Sequence, residues 1–406
     1  MPSKVIYSGK TVLIGSFISR GISALSTIIL ARLLVESDYG ALVIATIFTG
    51  LIGQIGGMGY EIYFLQFKGS EEDKRKVLDQ VFNLRMITNG ILFLIQLLIG
   101  GGLLLLTDDR MSGGIVLMMA FSLLLEGFNA PNEVLLKSKF DFKKITIGNI
   151  LKELASTVGK VSGAFMGLGG LSFGVGPVLG SLTRMIYLLK VQKYRPERFN
   201  WNKAVIKDIF NFGKHVLFGS AAMYAVQQID RILLSIFFPK NVVGQYGFSF
   251  STASSGFTYL ISPQQSLVMT FIAGHKTDSN LLLDRLLVLQ RFICLIFFPF
   301  SAVLLLFSNE FISILFSDRW LHTVPLFRIL VLYFAVQSIT FPFSSVLTGI
   351  GFPQINSKLV FLRALILVPS LVLISIYARG SILAFLITFC TISIVFDLIK
   401  LIISTK

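Results

Sequence analysis

Apolar and polar residues follow one another along this chain in long blocks. Continuous apolar runs lie near 11–34, 38–62, 81–106, 113–136, 145–167, 170–190, 209–237, 242–268, 283–306, 324–347, 356–377 and 381–403. Each approaches or exceeds the length of about 20 residues that a helix needs to cross the hydrocarbon core. A transmembrane barrel would need segments of about ten residues with alternating polarity, and these runs do not alternate. The pattern predicts an all-α integral membrane protein with twelve transmembrane helices.

The blocks between the runs carry the charge, and they carry it unevenly. One alternate set of loops holds Lys4 and Lys10, the cluster Lys68 to Lys76, the cluster Lys137 to Lys144, and a basic segment from Lys190 to Lys214, followed by Lys276, Lys358, Lys400 and Lys406. The other set holds only Arg32, Arg110, Lys240, Arg319 and Arg379. Basic loops stay in the cytoplasm, so both termini are expected inside. No cleavable leader is expected either: the basic start MPSKVIYSGK runs into an apolar stretch too long for a signal-peptide core.

Half the chain repeats the other half. GFNAPNEVLLKSKFDF (127–142) matches SITFPFSSVLTGIGFP (338–353), with Pro131 answering to Pro342 and Phe140 to Phe352. GLSFGVGPVLGSLTRMIYLLK (170–190) matches GSILAFLITFCTISIVFDLIK (380–400), and STIILARLLVESDYG resembles DRILLSIFFPKNVVG at a similar separation. Six spans per copy is an even number, so the copies share an orientation and relate by a pseudo-twofold axis along the membrane normal. That predicts two six-helix lobes, 1–192 and 209–406, joined by a basic cytoplasmic linker at 193–208. Parallel repeats with a substrate site near the bilayer midplane characterise alternating-access transporters.

Composition agrees with lipid as the solvent. The 406 residues are 54% hydrophobic and 14% charged, with a mean hydropathy of +0.78, where soluble domains carry about 25% charged residues. The net charge of +15 would suggest nucleic acid on a soluble fold, but here it sits in short loops between spans, so no nucleic-acid partner is expected. Three histidines and two cysteines, Cys294 and Cys390 in apolar runs, offer neither a metal site nor a disulfide framework, and no cofactor is implied. Outward loops are short apart from 308–323, which leaves no room for an external catalytic domain, so the chain reads as a non-enzyme.

Particular residues carry a family likeness. The first span ends in ILARLLVESDYGALVIA (29–45), an apolar run, Ala-Arg, an acidic turn and a small-residue restart. The second exits through GGMGYEIYFLQFKGSEED (56–73), and the seventh reads QQIDRILLSIFFPKNVVGQYGFS (227–249). With twelve duplicated spans, the chain resembles the Wzx-type polysaccharide flippases, in the superfamily that also holds multidrug and toxic-compound extruders and lipid II flippases. The resemblance implies a single-subunit transporter in the bacterial inner membrane, alongside polysaccharide-assembly proteins. It would move undecaprenyl-diphosphate-linked oligosaccharides from inner to outer leaflet for O-antigen, capsule or exopolysaccharide. The motifs are degenerate apolar patterns, so they specify the superfamily better than the substrate.

Charges within the spans are the candidate site, because an ionised side chain at the bilayer centre costs about 2.5–3.5 kcal/mol on insertion scales. Arg20 lies mid-span in SFISRGISAL, and Lys152 and Lys160 lie on the fifth span beside Glu153. The seventh carries Gln227, Asp230 and Arg231, three and four residues apart and so on one helix face. These six, Arg20, Lys152, Lys160, Gln227, Asp230 and Arg231, are the expected contacts for a diphosphate headgroup, whose oxygens suit a basic cavity. Asp230 and Arg231 serve equally as an ion pair at an outer gate. Arg85 and Arg184 lie near the inside face, where snorkelling is the simpler reading. Among the acids, Glu126 and Glu61 are candidates for proton or sodium coupling, with Glu133 and Asp397 in the same class.

Three rivals stay open. A drug or metabolite extruder of the same fold would favour acids over bases within the lobes. A polysaccharide polymerase would present a large external loop, for which Arg319 and His322 are the notable residues. A lipid II flippase would have two further spans.

Overall fold

In a computed structural model, residues 2–57, 59–67, 69–192, 203–274, 279–344, 353–377 and 381–405 are described. Linker positions 193–202 and the Phe352 member of the repeat lie outside them. The described residues are all-helical, without a strand. Among the described residues, nine segments are long and apolar enough to cross a bilayer: Thr11–Leu33, Glu36–Gln66, Glu72–Leu106, Arg110–Ser138, Gly169–Gln192, Leu283–Leu306, Asp318–Phe341, Gln354–Tyr377 and Ile382–Ser404. They coincide with nine of the twelve expected spans. The expected spans 145–167, 209–237 and 242–268 are helical as well, but richer in polar residues. Large apolar side chains such as Leu98, Leu105 and Leu106 are more than three-quarters exposed, as the lipid-facing surface of a multi-pass membrane protein requires.

The chain forms two compact units, Met1–Gln228 and Ile229–Lys406. Unit 1 comprises α1 (Pro2–Leu33), α2 (Glu36–Gly57), α3 (Tyr60–Gln66), α4 (Glu71–Leu106), α5 (Arg110–Ser138), α6 (Phe142–Phe165), α7 (Ser172–Gln192) and α8 (Lys203–Gln227). Unit 2 comprises α9 (Ile229–Phe237), α10 (Lys240–Gly274), α11 (Ser279–Leu306), α12 (Ser308–Phe316), α13 (Val324–Ser344), α14 (Pro353–Tyr377) and α15 (Ile382–Thr405). The expected lobe limits followed hydropathy; by packing, α8 groups with α2, α3 and α4 of unit 1. Tyr224 on α8 donates to the Thr46 carbonyl of α2 at 2.8 Å, and its ring lies against Gly50, where no side chain would fit.

Small residues set the packing in unit 1. In lipid, helices lack a hydrophobic drive toward each other and rely on close backbone approach. The α6–α7 seam supplies it with two glycine pairs at four-residue spacing, Gly159 and Gly163 against Gly176 and Gly180. A Cβ on Gly159 would meet the Gly176 Cα at 3.2 Å, and one on Gly163 would meet the Ser172 Cα at 3.3 Å. Asp38 ties this hairpin to α2: one carboxylate oxygen accepts from the Val35 N–H at 3.0 Å, the other from the Gly170 N–H at 2.9 Å.

Aromatic side chains do the comparable work in unit 2. Phe248 stacks on fully buried Trp320 with centroids 4.0 Å apart and meets Phe316 edge-on. Phe311 stacks on Phe327 at 5.6 Å. These contacts hold α12 and the short 3-10 turn Asp318–Thr323 against α10 and α13.

Candidate functional site

Along α5 the polar residues Ser122, Glu126, Asn129, Glu133 and Lys137 recur every three or four positions, one stripe on a 3.6-residue helix. The glycine seam brings α7 close enough to α6 for side chains from both to reach that stripe. The Lys152 ammonium on α6 donates to Glu126 Oε1 at 2.5 Å, and the Ser181 hydroxyl on α7 donates to the same oxygen at 3.0 Å. Glu126 Oε2 accepts from Arg184 at 3.3 Å and from the Asn129 amide at 3.3 Å. The second terminal nitrogen of Arg184 donates to Glu133. Lys137 then joins Glu133 Oε1 and Glu61 Oε2, each at 2.9 Å.

The result is a ladder of alternating sign: Lys152, Glu126, Arg184, Glu133, Lys137, Glu61. Three cations meet three anions, so it is neutral as a whole. From Glu126 to Lys137 it runs about 16 Å along α5, from mid-helix to the C-terminal end. Its rungs differ in access. Arg184 is the most enclosed, with its side chain 8% exposed, whereas Lys152 at the deep end is 35% exposed. A guanidinium bridging two carboxylates is a clamp. A half-exposed ammonium with one carboxylate partner is an exchangeable rung.

The remaining expected site residues fall into different settings. Lys160 is half-buried, its stem laid across Gly176 of α7, and no hydrogen bond or ion pair to it occurs among the described residues. Arg20 is half-buried on α1. Gly15 of the same helix packs on Thr146 of α6, and five residues of rotation separate Arg20 from that glycine by about 140° around α1. Gln227 is exposed at the end of α8, and the helix is interrupted at Gln228. Asp230 and Arg231 lie past that interruption, at the start of unit 2. The interruption places Asp230 in the first turn of α9, where a carboxylate suits the unpaired N–H groups. Asp230 is 2% exposed and accepts from the Tyr246 hydroxyl, while its other oxygen has no donor. Arg231 lies 4.8 Å over the Phe250 ring. Asp230 and Arg231 thus have separate partners, a phenol and an aromatic face.

Arg184 and Lys137 take part in the ladder although the sequence pattern places them elsewhere, near the inside face and in a loop. Arg184, expected to snorkel, is instead the clamp between Glu126 and Glu133; the seven-residue spacing of those acids was the available signal. Among the described residues no group of three His, Cys, Asp or Glu is placed to hold a metal ion.

This all-helical arrangement is that of a known class of membrane protein. The structure of the lipid II flippase MurJ in an inward closed conformation superposes with a TM-score of 0.75 over 97% of this chain and 87% of that one, at 17% identity, which establishes the fold. Residues 29–325 match the model of the family described as polysaccharide biosynthesis protein, and the chain belongs to that family. It is 21% identical over 296 residues to the teichuronic acid biosynthesis protein TuaB of Bacillus subtilis, covering 72% of this chain and 60% of that protein. It is 21% identical over 376 residues to the lipopolysaccharide biosynthesis protein WzxC of Escherichia coli, covering 91% of this chain and 75% of that one. The chain thus spans well under the full length of TuaB.

Proposed function

We propose that this protein is a flippase for lipid-linked oligosaccharides. It takes a unit carried on a prenyl diphosphate of the undecaprenyl type from the inner to the outer leaflet by alternating access, for a cell-surface polysaccharide. In this reading it is a single subunit of twelve spans with both termini inside, set in the bacterial cytoplasmic membrane and working beside polysaccharide-assembly proteins. Family membership supports the polysaccharide context, and the names of TuaB and WzxC point to envelope polymers.

The single observation that carries the reading is the half-exposed Lys152 ending a ladder of charges that climbs from the inner helix ends to mid-helix. An anionic headgroup meeting Lys152 exchanges one carboxylate partner for phosphate oxygens, and Glu126 keeps Arg184 and Ser181 meanwhile. No charge is stranded in the process, which is what a low-dielectric slab demands. Lys160, with no carboxylate of its own in hydrogen-bonding reach, supplies a second cation farther along α6. A drug extruder would instead favour acids over bases within the lobes, and the three acids of the ladder are each paired with a cation.

Deletion of the gene should leave lipid-linked units accumulating on the cytoplasmic leaflet with synthesis intact. Surface single units without polymer would instead mean a polymerase, and altered drug tolerance alone an extruder. Within the protein, Lys152→Gln should lower export about tenfold or more, since a hydrogen bond to a charged group is worth about 1.5–3 kcal/mol. Normal export by that variant removes Lys152 from the mechanism. Proton coupling through Glu126 predicts that Glu126→Gln flattens the pH dependence of export; an unchanged profile assigns the coupling elsewhere.

A further inference from the structure

The match of Pro131 to Pro342 has an offset of 211 positions, between the 210 that relates 170–190 to 380–400 and the 212 that relates Phe140 to Phe352, and three further correspondences share it. Helix α6 begins at Phe142 and α14 at Pro353. Glu126 on α5 answers to Gln337 on α13, and Lys152 on α6 answers to Arg363 on α14. Lys152 and Arg363 are each ten residues into their helix, about 15 Å from its start. Unit 2 therefore has a cation at the place of the deepest rung of the unit 1 ladder, with an amide where the ladder has its acid.

The surroundings of Arg363 differ accordingly. One terminal nitrogen donates to the Ser393 hydroxyl on α15 at 2.8 Å. Its Nε is buried without an acceptor, and its other terminal nitrogen has no hydrogen bond among the described residues. The nearby acid, Asp397 on α15, lies within electrostatic reach of both Arg363 and Lys400. No ion pair joins Arg363 to Asp397, and one buried oxygen of Asp397 has no donor. Gln337 donates to the Tyr333 hydroxyl at 3.2 Å. Two cations thus face one anion, against three and three in unit 1, and two of three guanidinium nitrogens lack a protein acceptor.

A buried donor left without an acceptor is costly, and a half-buried arginine in an apolar helix is costlier still unless something answers its charge. We propose that Arg363 anchors a second anion seat, formed by α13, α14 and α15 of unit 2, whose ligand is a phosphate-type oxyanion. The planar guanidinium pairs with two oxygens of such a group at once, and Ser393, Gln337 and Tyr333 supply neutral polar neighbours. The source of the oxyanion is either the headgroup of a phosphorylated lipid or a free phosphate. The lipid arm rests on the transport reading above; the seat itself does not.

Binding to the full chain, purified in uncharged detergent, tests this with two probes, inorganic pyrophosphate and geranylgeranyl diphosphate, followed by calorimetric titration and by the shift in thermal midpoint. The expected result is a binding step in the wild type that Arg363→Gln removes. Arg363→Lys keeps the charge and stem but loses the fork, and should weaken the step about tenfold. It also guards against failure of the glutamine variant to fold. Lys152→Gln should leave the Arg363-dependent step in place. Saturation by pyrophosphate alone assigns the seat to free phosphates, and a response only to the prenyl diphosphate assigns it to a lipid headgroup. If both Arg363 variants bind both probes as the wild type does, the seat does not exist. Binding without export of lipid-linked oligosaccharide removes the transport reading and leaves the seat; export without binding at Arg363 does the reverse.

Discussion

Lys152 on α6 and Arg363 on α14 occupy matching places in the two units, and the residues around them make opposite arrangements. In unit 1 every cation of the ladder has a carboxylate, and Glu126 gathers Lys152, Arg184, Ser181 and Asn129. In unit 2 the position corresponding to Glu126 holds the amide Gln337, the nearby acid stands one helix over at Asp397, and the guanidinium has a single hydrogen-bond acceptor among the described residues, Ser393. The helix seams differ in parallel. Glycines draw α6 and α7 together around the ladder, whereas stacked aromatics fill unit 2 at the α12 end. Duplication conserves where a charge stands along a helix without conserving what answers it. The ladder of unit 1 is paired throughout and leaves only its Lys152 rung exchangeable, whereas the proposed seat of unit 2 rests on an arginine with a single hydrogen-bond acceptor.

The strongest way to break this comparison is to remove the clamp. Arg184→Leu leaves Glu126 and Glu133 facing each other in an enclosed seam. Breaking a buried pair from one side costs about 3–5 kcal/mol, so denaturant unfolding in detergent should register a loss of that size. Arg363→Leu should cost no more than about 1 kcal/mol, because it removes an unsatisfied donor along with a single hydrogen bond. Equal losses from the two leucine variants would mean that the units use their cations alike.

Intermediate in size is Tyr246→Phe. It deprives buried Asp230 of its phenol donor and leaves both carboxylate oxygens without a protein donor, at about 1–3 kcal/mol in thermal unfolding. No measurable loss would show that the carboxylate finds another partner. Smallest, and opposite in sign, is Phe140→Gly. Helix α5 ends in a Schellman turn, with the Asp141 N–H bonded to the Leu136 carbonyl and the Phe140 N–H to that of Lys137. Phe140 sits at φ 56°, the left-handed position that glycine favours. Relief of the side-chain strain, less the entropy of glycine in the unfolded chain, should stabilise unit 1 by about 0.5 kcal/mol. A destabilised variant would mean that the Phe140 ring, 60% exposed, makes a contact worth more than its strain.

The sequence by itself determined the solvent, the helical class, nine of the spans and the family. Each of these rests on local hydropathy or on a string of adjacent residues, and a bilayer core enforces both within one helix length. It also marked Lys152, Glu126 and Glu61 as charges needing an answer, since ionised groups stand out against apolar runs. Only the tertiary structure decided what answers them. Lys152 and Glu126 are 26 positions apart, and Glu126 and Arg184 are 58 apart. Their meeting depends on how far α6 and α7 can approach through Gly159, Gly163, Gly176 and Gly180, and on the rotation of each helix about its axis. The same dependence gives Asp230 and Arg231 separate surroundings, the Tyr246 hydroxyl and the Phe250 ring. Hydropathy fixes how deep a residue lies; the rotation and spacing of separate helices fix which residue it touches.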